Sequence, residues 1–327
     1  MGKVEYKIYI SEAVKITLFC LIVTALMALI GADQKAILVI FNIAVMSCAV
    51  TFSPEKKHLV RVFEGGIVTT LSIIAGGVLG FYIPNIAQVL IIVYAALAFL
   101  LPRNKERTIL YVNAALMFLL FTSFPFDIKK AFEYLLYSIP LILVLVIHYR
   151  LFDRIIYARS AKPNPNNWEQ KEISALTAVL ALVCALGVSY LLKKYTNLQH
   201  LYWIGLTVLV VIQGSREHTI KTSIKRIIVN TAGAFIIVLL MRYVVPAGFL
   251  INLLMLTFFL FMIFAIGFSY VWRVLFIELF VLGFTHLLGQ YSNVIAVDRA
   301  VLTLIGGLLV IGSTILSYKV FVRSLKT

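Results

Sequence analysis

The sequence predicts an all-α, polytopic membrane protein with about twelve transmembrane helices, arranged as two parallel six-helix pseudo-repeats. Composition is the first reason, because 62% of the 327 residues are hydrophobic and only 13% are charged. The mean hydropathy of +1.00 is too high for a water-soluble domain, so lipid surrounds most of the chain. Two further observations are that apolar runs alternate with short polar loops, and that those loops share the basic residues unequally.

The apolar runs, taken in order, each form a candidate span. The first follows Lys3 and Lys7 and imitates a signal peptide. No convincing cleavage site follows it and more spans come at once, so it is interpreted as the first transmembrane helix. Pro84 separates the third and fourth runs and Pro246 the ninth and tenth, and either pair is also compatible with a re-entrant hairpin. Several runs fall short of the ~20 residues that cross a bilayer, which predicts tilts or half-buried ends. The runs are 14–30, 36–52, 62–83, 86–101, 108–124, 131–148, 173–192, 201–214, 224–245, 247–264, 268–289 and 298–318.

The basic residues orient these spans. Most of the 29 lysine and arginine residues fall in one set of alternate loops. The positive-inside rule places that set in the cytoplasm, together with both termini. The formal net charge of +15 therefore indicates topology and contact with anionic lipid, and nucleic acid is not an expected partner.

A polar linker divides the chain into halves. Residues 1–148 form the first six-helix membrane half, residues 149–171 the cytoplasmic linker, and residues 172–327 the second six-helix half. The halves share weak similarities after the second span, in the third span and at the start of the sixth. Because six is even, this predicts a parallel repeat with its axis along the membrane normal and a site between the halves. Chance similarity between basic loops is the alternative. The similar segments are 53–58 with 215–218, 75–77 with 232–234, and 127–130 with 298–299.

Signatures of other functions are missing from the sequence. There is no P-loop, kinase or dinucleotide-binding motif, which argues against ATP-driven transport by this chain alone. No serine triad or HExxH motif indicates an enzyme, although membrane-embedded enzymes can hide their motifs. Cys20, Cys48 and Cys184 lie inside apolar runs without metal or redox spacing, and they are interpreted as small buried hydrophobes. No cofactor and no metal ion is expected.

Four segments of the second half resemble the fusaric acid resistance protein-like (FUSC) family, the family of aromatic acid exporters. They combine an aromatic helix entry, a short polar loop, an Arg-containing helix start and an Arg-and-Gly pattern in the last helix. Val229-Asn230 stands near the place of the family's first glycine. The resemblance implies efflux of organic, often aromatic, anions across the inner or plasma membrane, and its wider relatives include plant malate channels. The segments are 202–207, 215–216, 225–234 and 298–306.

Glu278 is the most specific single candidate for a functional residue. It lies about halfway along the apolar run 268–289. A carboxylate at that depth costs a few kcal/mol unless it is protonated, paired or facing water. It is predicted to couple protons or to gate. The alternative is a neutral or paired carboxyl group that ties helices together, with Arg273 or His286 as its partner.

The helix start after the eighth run is predicted to carry the anion path. A helix N-terminus favours an anion, and basic side chains cluster there. Lys221 and Lys225 share one helical face and are interpreted mainly as topology signals that touch lipid headgroups. Arg226 matches the family's arginine, and Asn230 lies one turn deeper. The other residues assigned to this path are Arg216, Gly233, Gln213, Tyr202 and Trp203.

Residues at the predicted outer face complete the candidate set. Tyr202 and Trp203 are typical of an aromatic belt at the membrane interface, and an aromatic substrate could also stack on them. Asp298 and Arg299 are either a gate pair or a capping aspartate beside a snorkelling arginine. Arg273 joins Glu278, Asp298 and Arg299 in the predicted coupling or gating set.

These observations lead to a transporter that exports small organic carboxylate anions, aromatic ones among them, driven by a proton or electrochemical gradient. The membrane potential alone favours anion exit by ~2.3 kcal/mol per charge per 100 mV, so an anion channel or uniporter is the first alternative. A structural or lipid-handling membrane protein without transport is the second. The expected partners are the anion and the bilayer, and the sequence leaves open a homo-oligomer or a periplasmic adaptor. The expected location is the plasma (inner) membrane.

Overall fold

A computed structural model describes residues 3–49, 58–102, 105–155, 171–196, 198, 200–212, 215–243, 249–265, 269–287 and 293–324. Within these residues all regular secondary structure is helical. Twelve helices occur there, and each overlaps one of the predicted apolar runs. They are α1 (Lys3–Leu29), α2 (Gln34–Ala49), α3 (His58–Tyr82), α4 (Pro84–Leu100), α5 (Lys105–Ser123), α6 (Ile128–Ile155), α7 (Lys171–Tyr195), α8 (Tyr202–Val211), α9 (Arg216–Tyr243), α10 (Phe249–Ala265), α11 (Tyr270–Leu287) and α12 (Asn293–Ser324).

Five of the described helices are long and apolar enough to cross a membrane, namely α3, α6, α7, α9 and α12. Large apolar side chains also lie exposed on helix surfaces, such as Leu136 and Phe235. Water would penalise such a surface and lipid would not. Cys184 on α7 is exposed as well, so its interpretation as a buried residue was wrong, while Cys20 is buried as expected. The apolar helices support a multi-pass membrane protein, and the count of twelve spans stays a prediction.

Polar residues fix several helix starts. The Asp33 carboxylate accepts a hydrogen bond from the Ala36 amide at 2.6 Å, and Asp127 accepts one from the Lys130 amide at 2.8 Å. These caps satisfy amide groups that have no partner inside the helix. Pro84 begins α4, where the missing N–H of proline costs no hydrogen bond. The break at Pro84 thus follows from local chemistry.

The first compact unit comprises residues 1–91 and 102–167. In it α3 packs against α2, α5 and α6, and α1 packs against α2 and α6. Gly76 and Gly80 form the contact between α3 and α5, since a Cβ at Gly80 would lie 2.7 Å from the Thr122 carbonyl oxygen. Glycine at both positions of this GxxxG pair therefore allows α3 and α5 to pack closely.

The second unit comprises residues 92–101 and 168–327. Helix α12 packs against α7, α8 and α9, α9 also contacts α8 and α11, and α10 packs on α11. A Cβ at Gly306 would lie 2.8 Å from the Ile204 carbonyl oxygen, and one at Gly307 would lie 2.6 Å from Ile227 Cδ1. Glycine therefore lets α12 approach both α8 and α9.

Six helix pairings recur in the two units. In order along each unit, the first helix contacts the second and sixth, the second contacts the third and sixth, and the third contacts the fifth and sixth. The pairing between the fourth and fifth helices is prominent only in the second unit. Within each unit, then, the sixth helix contacts the first three helices, and the third helix also contacts the fifth.

Candidate functional site

A buried ion pair lies inside the second unit. Glu278, in the middle of α11, is completely inaccessible to solvent. The Nε atom of Arg299 on α12 lies 2.7 Å from Glu278 Oε2. The N–H group is not aligned for a hydrogen bond, because both carboxylate oxygens lack a hydrogen-bond partner among the described residues. The contact is therefore a charge pair, and it meets the requirement that a buried charge has a partner.

This partner differs from the two that the sequence suggested. Arg273 lies on the same helix as Glu278, but its guanidinium stands 5.2 Å from the Tyr270 ring centroid. The side chain of His286 lies outside the described residues. The carboxyl group instead pairs with an arginine of another helix, so it ties α11 to α12.

Gly233 on α9 makes room for the carboxylate. A Cβ at this position would lie 2.9 Å from Glu278 Cγ and 3.0 Å from its Cβ. Real side chains do not come that close without displacement, so the absence of a side chain at 233 brings α9 directly against Glu278. The structure thus joins two residues that the sequence had assigned to separate roles.

Arg226 and Asn230 lie on the same face of α9 as Gly233, because positions i, i+4 and i+7 align along a helix. Arg226 is 7% exposed, and its Nε has no hydrogen-bond partner among the described residues. Its charge acts on both Glu278 and Arg273. Asn230 donates a hydrogen bond from Nδ2 to Thr303 Oγ1 of α12 at 3.1 Å, while its Oδ1 has no partner in the described part of the chain. Unused donor and acceptor capacity therefore lies next to the ion pair.

An aromatic layer covers the other side of Arg299. The guanidinium carbon stands 4.7 Å from the centroid of the Trp203 ring, in the range of a cation–π contact. Trp203 is buried, and Tyr202 packs edge-on against it at 5.8 Å. The predicted interfacial anchor is thus part of the ion-pair cluster.

Asp298 and Arg299 do not act as a cap and a snorkelling residue. Helix α12 begins by Asn293, so Asp298 lies in its second turn rather than at its start. Both side chains are buried, and the Arg299 guanidinium turns toward Trp203 and Glu278. Their role as a gate pair stays a prediction.

Several predicted residues stay outside the cluster. Arg216 is exposed at the start of α9 and stacks on Tyr318 at 4.9 Å. Lys221 pairs with Glu217 at 2.5 Å on the exposed surface, and Lys225 is exposed too. Ser215 accepts a hydrogen bond from the His218 amide at 3.3 Å and caps the helix. Gln213 lies outside the described residues.

The charge balance of the cluster favours an anion. The guanidinium groups of Arg299 and Arg226 both act on the carboxylate of Glu278, and the buried Asp298 directly precedes Arg299 on α12. A guanidinium cannot lose its proton under ordinary conditions and recognises carboxylates with fixed geometry. The described residues contain no group of His, Cys, Asp and Glu suited to a metal ion. The arrangement can therefore hold a carboxylate and exchange it for that of Glu278.

Sequence reasoning missed one residue of this region, His200. Its ring lies 5.3 Å from that of Trp203, in the loop between α7 and α8. The sequence did contain an indication of this residue. A histidine two residues before an aromatic pair at a predicted membrane interface is unusual in so apolar a chain.

Comparison with known proteins supports the suspected family. Residues 176–312 match the family model described as fusaric acid resistance protein-like. No curated protein and no solved structure shows a significant match to the chain. The match covers α8, α9 and α11 and most of α12, so every residue of the ion-pair cluster lies within it. The family resemblance is thereby confirmed for the second half of the chain, and the family suggests a membrane transport or efflux protein.

Proposed function

We propose that this protein exports small organic carboxylate anions across the plasma (inner) membrane, and that the second unit holds the anion. One observation carries the proposal. Among the residues that the structure describes, the buried Nε donor of Arg226 is unused, and it lies next to an ion pair of Arg299 and Glu278. Burying a cation with unused hydrogen-bonding capacity is costly unless a ligand takes that capacity up. A carboxylate is the ligand that guanidinium groups fit best.

Exchange between carboxylates supplies a mechanism. When Glu278 accepts a proton, it no longer neutralises Arg299, and a substrate carboxylate can take its place between Arg299 and Arg226. When Glu278 loses the proton again, it competes with the substrate for Arg299 and favours its release. In this exchange the anion and the proton bind together and leave together through one shared arginine, so a proton accompanies each exported anion and the outward gradient of the acid drives export.

The aromatic layer supports aromatic carboxylates as substrates. Trp203 and Tyr202 stand directly beside Arg299, so a substrate whose carboxylate reaches Arg299 would place an attached ring near the indole. Ring stacking contributes roughly 0.5–1.5 kcal/mol beyond burial, enough to prefer aromatic over aliphatic acids about two- to tenfold. The recurring helix pairings of the two units support the proposed repeat, and the basic loops support cytoplasmic termini.

Transport by purified protein in liposomes tests the proposal. Arg226→Gln should reduce uptake of a radiolabelled aromatic carboxylate at least tenfold, because a desolvated charge-assisted contact is worth roughly 1.5–3 kcal/mol. Lys225→Gln is the matched control, since Lys225 is the exposed neighbour on the same helix and should retain transport. Equal rates in both variants would refute an anion site at Arg226. Liposomes in which the wild-type protein moves no carboxylate would favour a structural or lipid-handling role.

Glu278→Gln separates coupled transport from a channel. Glutamine keeps the shape of the side chain but cannot exchange a proton, so coupling predicts that transport loses its dependence on the pH of the cytoplasmic side. A channel or uniporter driven by the membrane potential alone predicts an unchanged pH profile.

A further inference from the structure

His200 is positioned by the same backbone that starts α8. Its carbonyl oxygen accepts the hydrogen bond of the Trp203 amide at 3.0 Å. Its φ angle is 57°, in the left-handed region that few non-glycine residues adopt. Such a backbone is retained where the surroundings enforce it, commonly at functional sites. The histidine and the tryptophan therefore hold each other's position.

The His200 ring lies on the Trp203 ring with 5.3 Å between centroids and 31° between planes. Trp203 in turn contacts the Arg299 guanidinium. An unbroken series of contacts thus leads from the α7–α8 loop through the indole to the buried ion pair. According to the distribution of basic residues, this loop faces the outside.

We infer that His200 is a positioning residue for the anion path: its neutral ring holds Trp203 against Arg299, and its protonation from the outer side releases that contact. This inference rests on the proposed function, because the released state is the one in which an anion at Arg299 can leave. The other titratable and charged groups around His200 in the described residues are Tyr202 on α8 and Asp298 and Arg299 on α12.

The direction in which pH changes the docking of the His200 ring follows from proton linkage. Burial lowers the pKa of His200 below its ordinary value of 6.5, and the charge of Asp298 only partly opposes this. The docked ring therefore binds a proton less well than a released ring. Docking is at full strength above pH 6.5 and weakens as the external pH falls below that value, toward the lowered pKa. The Arg299 charge behind the indole acts in the same direction by repelling an imidazolium.

Two substitutions test whether His200 holds Trp203 in place. His200→Phe keeps a ring that stacks on Trp203 but cannot titrate, so the response of export to external pH should fall to the part that Glu278 contributes. His200→Asn tolerates the left-handed backbone and lacks the ring, so export at neutral pH should exceed that of His200→Phe. As the external pH is lowered below 6.5, wild-type export should rise roughly three- to tenfold relative to His200→Phe, because the imidazole gains its proton only below its ordinary pKa. His218→Phe, at an exposed histidine of α9, is the control and should behave as wild type.

A fluorescence titration tests the control of Trp203 by His200 separately from the proposed function. Trp168→Phe and Trp272→Phe leave Trp203 as the single tryptophan. Its emission should change below pH 6.5 with His200 present and stay constant with His200→Phe. The inference is overturned if the emission of Trp203 still changes with pH in His200→Phe, or if it stays constant in the protein that retains His200. Either result counts whether or not transport is observed. Transport that keeps the wild-type pH profile in His200→Phe also overturns it. Absence of all transport, with the fluorescence titration intact, overturns the proposed function alone.

Discussion

Breaking the buried ion pair should reveal how strongly α11 and α12 are held together. The charges of Arg299 and Glu278 lie 2.7 Å apart, with side-chain exposures of 8% and 0%. At an effective dielectric constant of about 20, their attraction is ~6 kcal/mol. Loss of hydration on burial offsets much of this, so the pair itself adds little net stability. Removing one member is different, because it leaves the other charge buried without its partner, which costs ~3–5 kcal/mol.

A double-mutant cycle measures this coupling. Arg299→Met should lower the free energy of unfolding by ~3–5 kcal/mol, whereas Arg299→Met combined with Glu278→Gln should lower it by clearly less. The assay is equilibrium unfolding of the detergent-solubilised protein, followed by the loss of helical circular dichroism. A coupling free energy of at least ~2 kcal/mol is expected. If the two single effects add to within ~0.5 kcal/mol, the charges do not interact as the geometry requires and the reasoning is refuted.

Two further predictions concern the packing around the site. Gly306→Ala places a Cβ 2.8 Å from the Ile204 carbonyl oxygen and should destabilise by ~1–3 kcal/mol in the same unfolding assay. Gly312→Ala, on the same helix with nothing within 4 Å, should be neutral or stabilise by up to ~1 kcal/mol, and equal effects of the two would contradict the contact between α8 and α12. Asn230→Ala removes the hydrogen bond to Thr303 and should cost ~1 kcal/mol, an effect that should vanish in a Thr303→Val background if this bond is its cause.

The apolar pattern predicted the helices because a transmembrane helix must satisfy its own backbone and present apolar side chains to lipid. Both constraints are local, so each predicted run overlaps one helix. The exception in length is α8, where the predicted run 201–214 contains a regular helix of only ten residues. The chain after Val211 leaves the helical conformation, with Ile212 extended. Hydropathy does not report this change, since Ile212 is as apolar as the residues before it.

The partner of Glu278 was beyond sequence reasoning because it depends on how three helices meet. Helices α11 and α12 both pack against α9. Gly233 admits the carboxyl group on one side, and Asn230 fixes Thr303 on the other. The pair of Arg299 and Glu278 forms where these contacts meet. Candidates chosen by spacing along α11 could not include an arginine more than twenty residues away in the chain, even though both residues were individually recognised.

Within the proposed repeat, the buried charged side chains of the candidate site lie in the second unit. In the first unit Gly76 and Gly80 of α3 face the backbone of α5, so small residues there serve helix packing alone. In the second unit Gly233 of α9 faces the side chain of a carboxylate instead. Helix α5 of the first unit carries Asn113, whose amide cannot exchange a proton. The same use of glycine thus gives a contact with a helix backbone in one unit and room for a titratable side chain in the other. Proton coupling, if the exchange at Arg299 is its basis, is therefore a property of the second unit and requires no matching event in the first.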